Sequence, residues 1–367
     1  MLNFVYYETS YTKSLGVILM NETTIHIEHV TKEFKVLNRH EGLKGSIKDL
    51  FSRDYRIVKA VDDISMNISK GEIVGYLGPN GAGKSTTIKM MSGILKPSAG
   101  SILVNGVEPY KNRTKNAKNI GVVFGQRTQL WWALPLIESF KILKDIYEVS
   151  NQSYKDMLEL YDSLVEASAL YHKPVREMSL GQRTLSDILA AFLHNPQVVF
   201  LDEPTIGLDV SMKSKIRDLV KELNKQKNTT VILTTHDMGD VDALCERTVI
   251  IDKGKILYNS DIENLRTLFG AYRTMKIRFT KDGAALTKND LDKEVTWLQE
   301  YIDTRFPAST IHVFVNEDWI DVLLNEEEQN VMSIMNAIQE KKPICDIQLQ
   351  DISTESVIKK IYEGGVK

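Results

Sequence analysis

Cysteine is scarce in this chain, and it has neither a long apolar run nor an excess of basic charge. Its two cysteines, Cys245 and Cys345, are far apart and form no CxxC pair, which argues against a disulfide framework or a zinc site and fits a reducing cytosol. No stretch approaches the run of about 18 apolar residues that a membrane-spanning helix needs. The formal net charge of -3 gives no indication of nucleic-acid binding. Any membrane role is therefore expected to depend on a partner.

The length of 367 residues predicts one large and one small domain. Residues 1–20 lack the basic start and cleavage site of a secretory signal, and we expect a poorly ordered extension. The large domain is predicted over 21–268. From 269 to 367 the pattern changes to strand, helix, two strands, helix, strand and helix, which is typical of a separate α+β accessory domain. This region has no cluster of catalytic residue types, so its role stays open.

Two stretches of alternating apolar residues, one before Val30 and one after Val58, predict an antiparallel β layer at the start of the large domain. Residues 35–59 are predicted to be an insert between its strands. Within this insert, 43–51 carries apolar residues at helical spacing in a lysine- and arginine-rich context, which indicates a basic amphipathic helix. Such a helix contacts anionic lipid or a membrane partner, or packs on its own domain, and the sequence leaves these alternatives open.

A glycine-rich turn follows a predicted buried strand and precedes a predicted helix. It satisfies the phosphate-loop pattern G-x-x-x-x-G-K-[ST]. In this context, backbone N–H groups and the helix N-terminus face a phosphate group, Lys84 adds a positive charge, and the Ser85 hydroxyl is available to Mg²⁺. The predicted nucleotide-binding residues of this loop are Gly78, Pro79, Asn80, Gly81, Ala82, Gly83, Lys84, Ser85 and Thr86.

Two adjacent carboxylates follow the apolar run from Val198 to Leu201. In a parallel sheet this run directs Asp202 from the carboxyl edge toward the phosphate loop, where it is predicted to hold Mg²⁺. Glu203 is next to it and is predicted to accept a proton from the attacking water.

Five motifs occur in the order seen in ABC ATPases, and the chain resembles that family over roughly 23–268. The resemblance implies an α/β P-loop NTPase of the ABC ATPase type, with a mixed sheet core, an antiparallel β subdomain and a helical subdomain at about 128–182. It also implies ATP hydrolysis with Mg²⁺. The chain looks most like subunits of type-two ABC exporters. The motifs are Gly78 to Thr86, Met178-Ser-Leu-Gly-Gln182, Asp202-Glu203-Pro204, Gly207-Leu-Asp209 and Thr235-His236-Asp237.

The same resemblance assigns roles to residues that the sequence alone leaves undefined. Gln126 resembles the glutamine that reaches Mg²⁺ and senses the γ-phosphate. His236 resembles the switch histidine that contacts the γ-phosphate, and with Glu203, Gln126 and Lys84 it completes the predicted catalytic set. Asp209 resembles the acid that communicates across a homodimer.

The signature motif departs from the common LSGGQ by having Met178 and Leu180. Ser179 and Gly181 keep the hydroxyl and the unhindered N–H that an incoming γ-phosphate requires at a helix N-terminus. With Gln182, they are predicted to contact the nucleotide held by the partner subunit. The leucine is expected to tune binding without abolishing the chemistry.

The adenine contact has two candidates in the sequence. Phe34 matches the position of the aromatic residue that stacks on adenine in the family. The insert that follows it makes Tyr55 a rival, and packing within the β layer would explain both residues.

The implied partners are a second copy of the chain and separate integral membrane permease subunits, which would hold the protein on the inner, cytoplasmic face of the membrane. Trp131 and Trp132 follow Gln126, where such subunits receive a permease helix, although core packing also explains them. The cargo is not encoded here, because its path belongs to the permease.

A soluble ABC ATPase that acts on nucleic acid or ribosomes is the alternative function. A DNA-repair member would show a long coiled coil or zinc cysteines, and a translation factor would carry two cassettes, none of which this sequence contains. A small-molecule kinase or GTPase would explain the phosphate loop but not Met178 to Gln182.

Overall fold

The structure is a computed structural model, and it divides the chain into two compact units, Met1–Ser260 and Asp261–Lys367. The predicted N-terminal extension and the last predicted helix lie outside the residues that it describes. The described residues are 23–37, 55–125, 128–235, 237–264, 272–281, 284–285, 288–307, 311–316, 318–326 and 328–351.

The first unit is built on a six-stranded sheet of order β5-β6-β7-β3-β8-β9. The pairs β5–β6, β6–β7, β7–β3 and β3–β8 are parallel. Near-continuous apolar runs form the central strands because both faces of the sheet are covered, and all five residues of β3 are buried. The carboxyl ends of neighbouring parallel strands therefore meet at one edge. The strands are β3 (Ile73–Leu77), β5 (Ile120–Phe124), β6 (Val198–Asp202), β7 (Thr230–Thr235), β8 (Arg247–Asp252) and β9 (Lys255–Asp261).

A three-stranded antiparallel sheet confirms the predicted β layer. It consists of β1 (Thr23–Leu37), β2 (Tyr55–Ser69) and β4 (Ala99–Val104) in the order β2-β1-β4. The predicted insert 35–59 is too long at both ends, because the β1–β2 ladder continues to the pair Leu37 and Tyr55. The predicted basic helix at 43–51 lies outside the described residues.

Helices cover the central sheet and form a helical layer after β5. In that layer, the ring of Phe140 packs edge-on against Tyr161 at 6.3 Å, and the Tyr161 hydroxyl donates to the Leu189 carbonyl at 2.7 Å. The layer ends later than the predicted 182, because its last helix continues to Phe192. The helices are α1 (Lys84–Met91), α2 (Arg113–Ala117), α3 (Leu136–Ile146), α4 (Asn151–Val165), α5 (Ser168–Tyr171), α6 (Leu180–Phe192), α7 (Val210–Lys227) and α8 (Met238–Leu244), with a 3-10 turn at Val175–Glu177.

The second unit contains a four-stranded antiparallel sheet of order β13-β14-β10-β15. With the two helices among the described residues of this unit, this order gives the β-α-β-β-α-β arrangement called ferredoxin-like. The side chains of Met275, Ile277 and Ile320 on one sheet face pack with Leu298 and Ile334 of the helices. The elements are β10 (Tyr272–Arg278), β11 (Thr280–Lys281), β12 (Ala284–Ala285), α9 (Lys288–Arg305), β13 (His312–Asn316), β14 (Trp319–Asn325), α10 (Val331–Lys341) and β15 (Asp346–Asp351).

Among the described residues, no helix is long and apolar enough to cross a membrane.

Candidate functional site

The glycine-rich turn connects β3 to α1 and leaves the start of α1 open. Gly83 is the N-cap of α1, with φ 113 and no side-chain cap. A Cβ atom at Gly83 would lie 2.4 Å from the Ala60 carbonyl oxygen, so only glycine fits there. The first N–H groups of a helix have no partner within it. The N–H groups of Lys84 and Ser85 therefore belong to a ready anion site.

Lys84, the lysine predicted to bind phosphate, is buried, and its ammonium group remains available to a ligand. Lys84 is 6% exposed, and its Nζ donates to the carbonyl oxygens of Gly78 and, at 3.2 Å, Pro79. Burial lowers the pKa of Lys84, whereas the charges of Glu203 and Asp202 act in the opposite direction. Both partners are neutral carbonyl groups, so the ammonium group remains available to a phosphate oxygen.

The predicted metal ligands Ser85 and Asp202 lie side by side. The Ser85 hydroxyl donates to Asp202 Oδ1 at 3.3 Å, and the Thr234 hydroxyl donates to the same oxygen at 2.6 Å. No group of three His, Cys, Asp or Glu side chains suited to a metal occurs in the described part of the chain. Nucleotide-bound Mg²⁺ takes oxygen ligands, commonly one or two from the protein with phosphate and water completing the set. The hydroxyl and carboxylate pair fits that ion.

The predicted general base has an unusual backbone. Glu203 has φ 52, the left-handed region that glycine favours, and its N–H donates to the Thr234 carbonyl and hydroxyl oxygens, both at 3.0 Å. Glu203 lines a cavity of about 880 Å³ together with Asn80, Ser85 and Asp202. Strained conformations of this kind concentrate at functional sites. The bonds to Thr234 fix the Glu203 backbone beside this cavity.

Two predicted residues, Gln126 and His236, lie outside the described residues, but the structure describes residues beside both. A Cβ at Gly125 would lie 2.8 Å from the Asp202 carbonyl oxygen, so the segment that enters Gln126 runs against the end of β6. On both sides of His236, the flanking residues bond to each other: the Thr235 hydroxyl accepts a hydrogen bond from the Asp237 N–H at 2.9 Å.

The signature motif forms the start of α6. Ser179 is the N-cap, its Oγ accepts from the Gln182 N–H at 3.3 Å, and Gln182 Oε1 accepts from the Ser179 N–H at 3.2 Å. Gln182 Oε1 also accepts from Lys173 Nζ at 2.9 Å. The Gln182 side chain, predicted to bind nucleotide, is thus engaged in capping its own helix.

Close packing explains the signature glycine. A Cβ at Gly181 would lie 2.6 Å from Met212 Cγ of α7. Asp209 caps α7 by accepting from the Met212 N–H at 2.9 Å. The predicted dimer-communication acid therefore also fixes the helix against which the signature helix packs.

Neither adenine candidate has a defined role in the structure. Phe34 pairs with Val58, is 36% exposed, and has Lys32 Nζ 5.1 Å from its ring centre. Tyr55 pairs with Leu37 and is 50% exposed. The ranking of the two stays a prediction.

The tryptophan pair is not core. Trp131 is 38% and Trp132 is 51% exposed, and the Arg183 guanidinium lies 4.8 Å from the Trp132 ring centre. This exposure argues against the core-packing interpretation and leaves an aromatic surface beside the Gln126 segment.

Sequence reasoning missed a charged network behind the site, which we call the α7–α8 cluster and define as Lys213, Arg217, Asp237 and Asp240. Asp240 is fully buried and accepts bonds from Arg217 Nε at 2.6 Å and from the hydroxyls of Thr205 and Thr235. Lys213 pairs with Asp237. One sequence pattern could have indicated this cluster. Two cations lie four residues apart, and two acids lie three residues apart.

Comparison with known proteins identifies the family. The sequence model described as ABC transporter matches residues 61–206. The ABC transporter ATP-binding protein NatA of Bacillus subtilis (strain 168) is 33% identical over 215 residues, which are 59% of this chain and 87% of that protein. The chain belongs to the ABC transporter ATP-binding family. It is an ATP-hydrolysing subunit that energises transport and uses ATP with Mg²⁺.

A second relative of this ABC transporter subunit extends beyond the first unit. The bacitracin transport ATP-binding protein BcrA of Bacillus licheniformis is 28% identical over 319 residues, 85% of this chain and 95% of that protein. A match of this length exceeds the first unit, which ends at Ser260. At least part of the second unit therefore also belongs to the region similar to BcrA.

Solved structures agree with the fold. An ATP-binding subunit of an ABC transporter has a TM-score of 0.56 and 22% identity, covering 68% of this chain and 94% of that one. A dimeric ATP-binding cassette in a post-hydrolysis state with ADP and Pi has a TM-score of 0.53 and 24% identity, covering 65% and 98%. At this identity the likeness shows the fold alone, which is the predicted ABC ATPase fold. Members of the family dimerise and work with membrane permease subunits.

Proposed function

We propose that this ATPase drives export through a separate integral membrane permease, as one half of a homodimer that closes on two ATP molecules. The observation that carries the ATP-dependent part of the proposal is the arrangement of charge at the phosphate loop, where Lys84 donates to neutral carbonyls and Asp202 accepts from hydroxyls. These charged groups are arranged for phosphate and Mg²⁺.

The phosphate loop holds the triphosphate in this proposal. The first N–H groups of α1 and the Lys84 ammonium bind the β- and γ-phosphate oxygens. Ser85 and Asp202, with Gln126, hold Mg²⁺ in its oxygen-rich shell. When bound, Mg²⁺ neutralises part of the negative charge that develops on the phosphate oxygens.

Hydrolysis requires a water molecule in line with the γ-phosphorus. Glu203 accepts a proton from this water as the new oxygen–phosphorus bond forms and the bond to ADP breaks. Gln126 and His236 contact the γ-phosphate and orient it. The bonds from the Glu203 N–H to Thr234 fix the backbone of this residue at the cavity that also contains Ser85 and Asp202, which supports this role.

The second ATP contact comes from the partner subunit. The Ser179 hydroxyl accepts a bond from its own helix and still has its hydrogen to donate to a γ-phosphate. The Gly181 N–H lies in the first turn of α6, an anion-binding position. Asp209 communicates between the two sites by fixing α7, against which Gly181 packs.

The permease is proposed to dock on the exposed Trp131 and Trp132, which supply the aromatic contact that such interfaces use. This contact holds the subunit at the inner face of the membrane. The similarity to BcrA, a bacitracin transport ATP-binding protein, supports a transport role for this chain. Export is proposed from the resemblance of its motifs to those of type-two exporters, and the predicted basic helix at 43–51 is proposed to contact anionic lipid.

Affinity purification of the tagged full chain from detergent-solubilised membranes tests this function. A multispanning protein should copurify with the wild type and with Ile146→Ala, a control at another exposed apolar residue. The Trp131→Ala, Trp132→Ala double variant should lose it and keep ATP binding. Retention by the double variant would contradict the docking surface, and copurification of ribosomes or nucleic acid in place of a membrane protein would favour the non-transport alternative.

A further inference from the structure

One buried acid of the signature helix has no place in the motifs described above. Asp187 of α6 is 5% exposed. Its Oδ1 accepts from the Thr128 hydroxyl at 2.9 Å and from the Gln129 N–H at 3.0 Å. Gln129 Nε2 returns a bond to the Asp187 carbonyl oxygen at 3.2 Å. We call these three residues the Asp187 clasp.

Burying the Asp187 carboxylate costs free energy, so stability alone does not explain an acid at this position. Burial raises the pKa of Asp187 to about 6, against the opposing effect of the two hydrogen bonds and of Arg183. Its bonding partners are a hydroxyl and an amide and not a cation, so its negative charge is poorly compensated. A carboxylate oxygen that accepts two converging donors nevertheless fixes their positions, because each bond is strong in a buried setting.

The two sides of the clasp belong to different parts of the ATPase cycle. Thr128 lies two residues after Gln126 on a segment that begins at Gly125 against β6. Asp187 lies eight residues after the helix N-cap Ser179, about 12 Å along the helix. Thr128 and Asp187 line the same cavity as Glu203. The clasp therefore joins the segment near one ATP to the helix that reaches toward the other.

We propose that Asp187 is a positioning residue that couples the two ATP sites of the dimer. It ties the Gln126 segment, which responds to ATP bound by its own phosphate loop, to α6, which caps the ATP of the partner subunit. ATP bound beside the Gln126 segment thereby favours the capping position of Ser179. The inference rests on the proposed closed homodimer.

The clasp can be broken while the phosphate loop stays intact. Asp187→Ala removes the acceptor, and Asp187→Asn keeps a carbonyl oxygen that accepts both bonds. Glu159→Ala, at an exposed acid of α4 that pairs with Lys155, is the control. Each variant is measured in the full chain for binding of a fluorescent ATP analogue, for the rate and Hill coefficient of ATP hydrolysis, and for ATP-dependent dimerisation in a Glu203→Gln background.

Asp187→Ala should keep analogue affinity within about twofold, lower the turnover number by about tenfold, bring the Hill coefficient close to one and abolish dimerisation. Asp187→Asn should retain most of the turnover and cooperativity, and Glu159→Ala should match the wild type. Thr128→Val, which removes one donor outside the helix, should fall between Asp187→Asn and Asp187→Ala.

The inference would be overturned by unchanged cooperativity in Asp187→Ala, or by an Asp187→Asn that behaves like Asp187→Ala. Loss of analogue binding in step with turnover would indicate a general structural role and would also contradict it. If Glu203→Gln alone fails to dimerise with ATP, the proposed homodimer fails instead, so the two failures can be told apart.

Discussion

The phosphate site and the α7–α8 cluster both lie after the carboxyl ends of central strands, but their charged side chains have opposite kinds of partner. At the phosphate site, Lys84 bonds to carbonyl groups and Asp202 to hydroxyls. In the α7–α8 cluster, Arg217 pairs directly with the fully buried Asp240. The charged groups of the first region remain available to a ligand, whereas those of the second region neutralise one another within the fold. Substitutions should therefore separate into effects on the reaction and effects on stability.

The largest expected effect is on turnover at the phosphate site. Glu203→Gln keeps the size of the side chain and removes its ability to accept a proton, so we expect ATP hydrolysis to fall by about 10² to 10⁴ fold. ATP binding should persist, because Lys84, Ser85 and Asp202 are unchanged. The closed homodimer should then accumulate, since hydrolysis no longer removes the bridging γ-phosphate.

Size-exclusion chromatography with ATP and Mg²⁺, alongside phosphate release, measures this outcome. Lys84→Ala is the matched control, because it should lose ATP binding and dimerisation together. Normal turnover in Glu203→Gln would show that Glu203 is not the base.

A smaller but clear effect is expected on stability at the α7–α8 cluster. Asp240→Ala leaves Arg217 without its buried partner and two threonine hydroxyls without their acceptor, which should lower the free energy of unfolding by about 3–5 kcal/mol. Lys84→Ala, in contrast, removes a buried ammonium whose hydrogen-bond partners are neutral carbonyls, so its free energy of unfolding should change by less than about 1 kcal/mol. Urea denaturation of both variants without nucleotide measures the contrast. Equal destabilisation would remove the distinction between the two regions.

The smallest expected effect concerns adenine. Phe34→Ala should weaken ATP binding by about 1 kcal/mol through the loss of one stacking contact, and Tyr55→Ala should not. Titration with ATP measures both affinities, with GTP as a second nucleotide. The reverse ranking would assign the stacking contact to Tyr55. Unchanged ATP affinity in both variants would show that neither side chain stacks on adenine and that ATP binding depends on the charged groups of the phosphate site.

The phosphate site was predictable because its chemistry depends on consecutive residues. The spacing from Gly78 to Ser85 and the apolar run before Asp202 locate a turn, a helix start and a strand end without any knowledge of distant contacts. The α7–α8 cluster was not predictable in this way, since its bonds depend on two helices packing side by side. The extent of β1 was misjudged because it depends on pairing with β2, a strand distant in the sequence, and this pairing continues to Leu37.

The bonds at the start of α6 have a consequence for how fast two subunits would meet in the proposed homodimer. Ser179 and Gln182 satisfy each other's backbone groups within one chain, so this helix end has its shape before any nucleotide arrives. A surface of this kind is preorganised, and little ordering entropy is lost when it docks. Closure of the pair should then resemble a rigid-body encounter, with an association rate limited by orientation and diffusion rather than by local refolding.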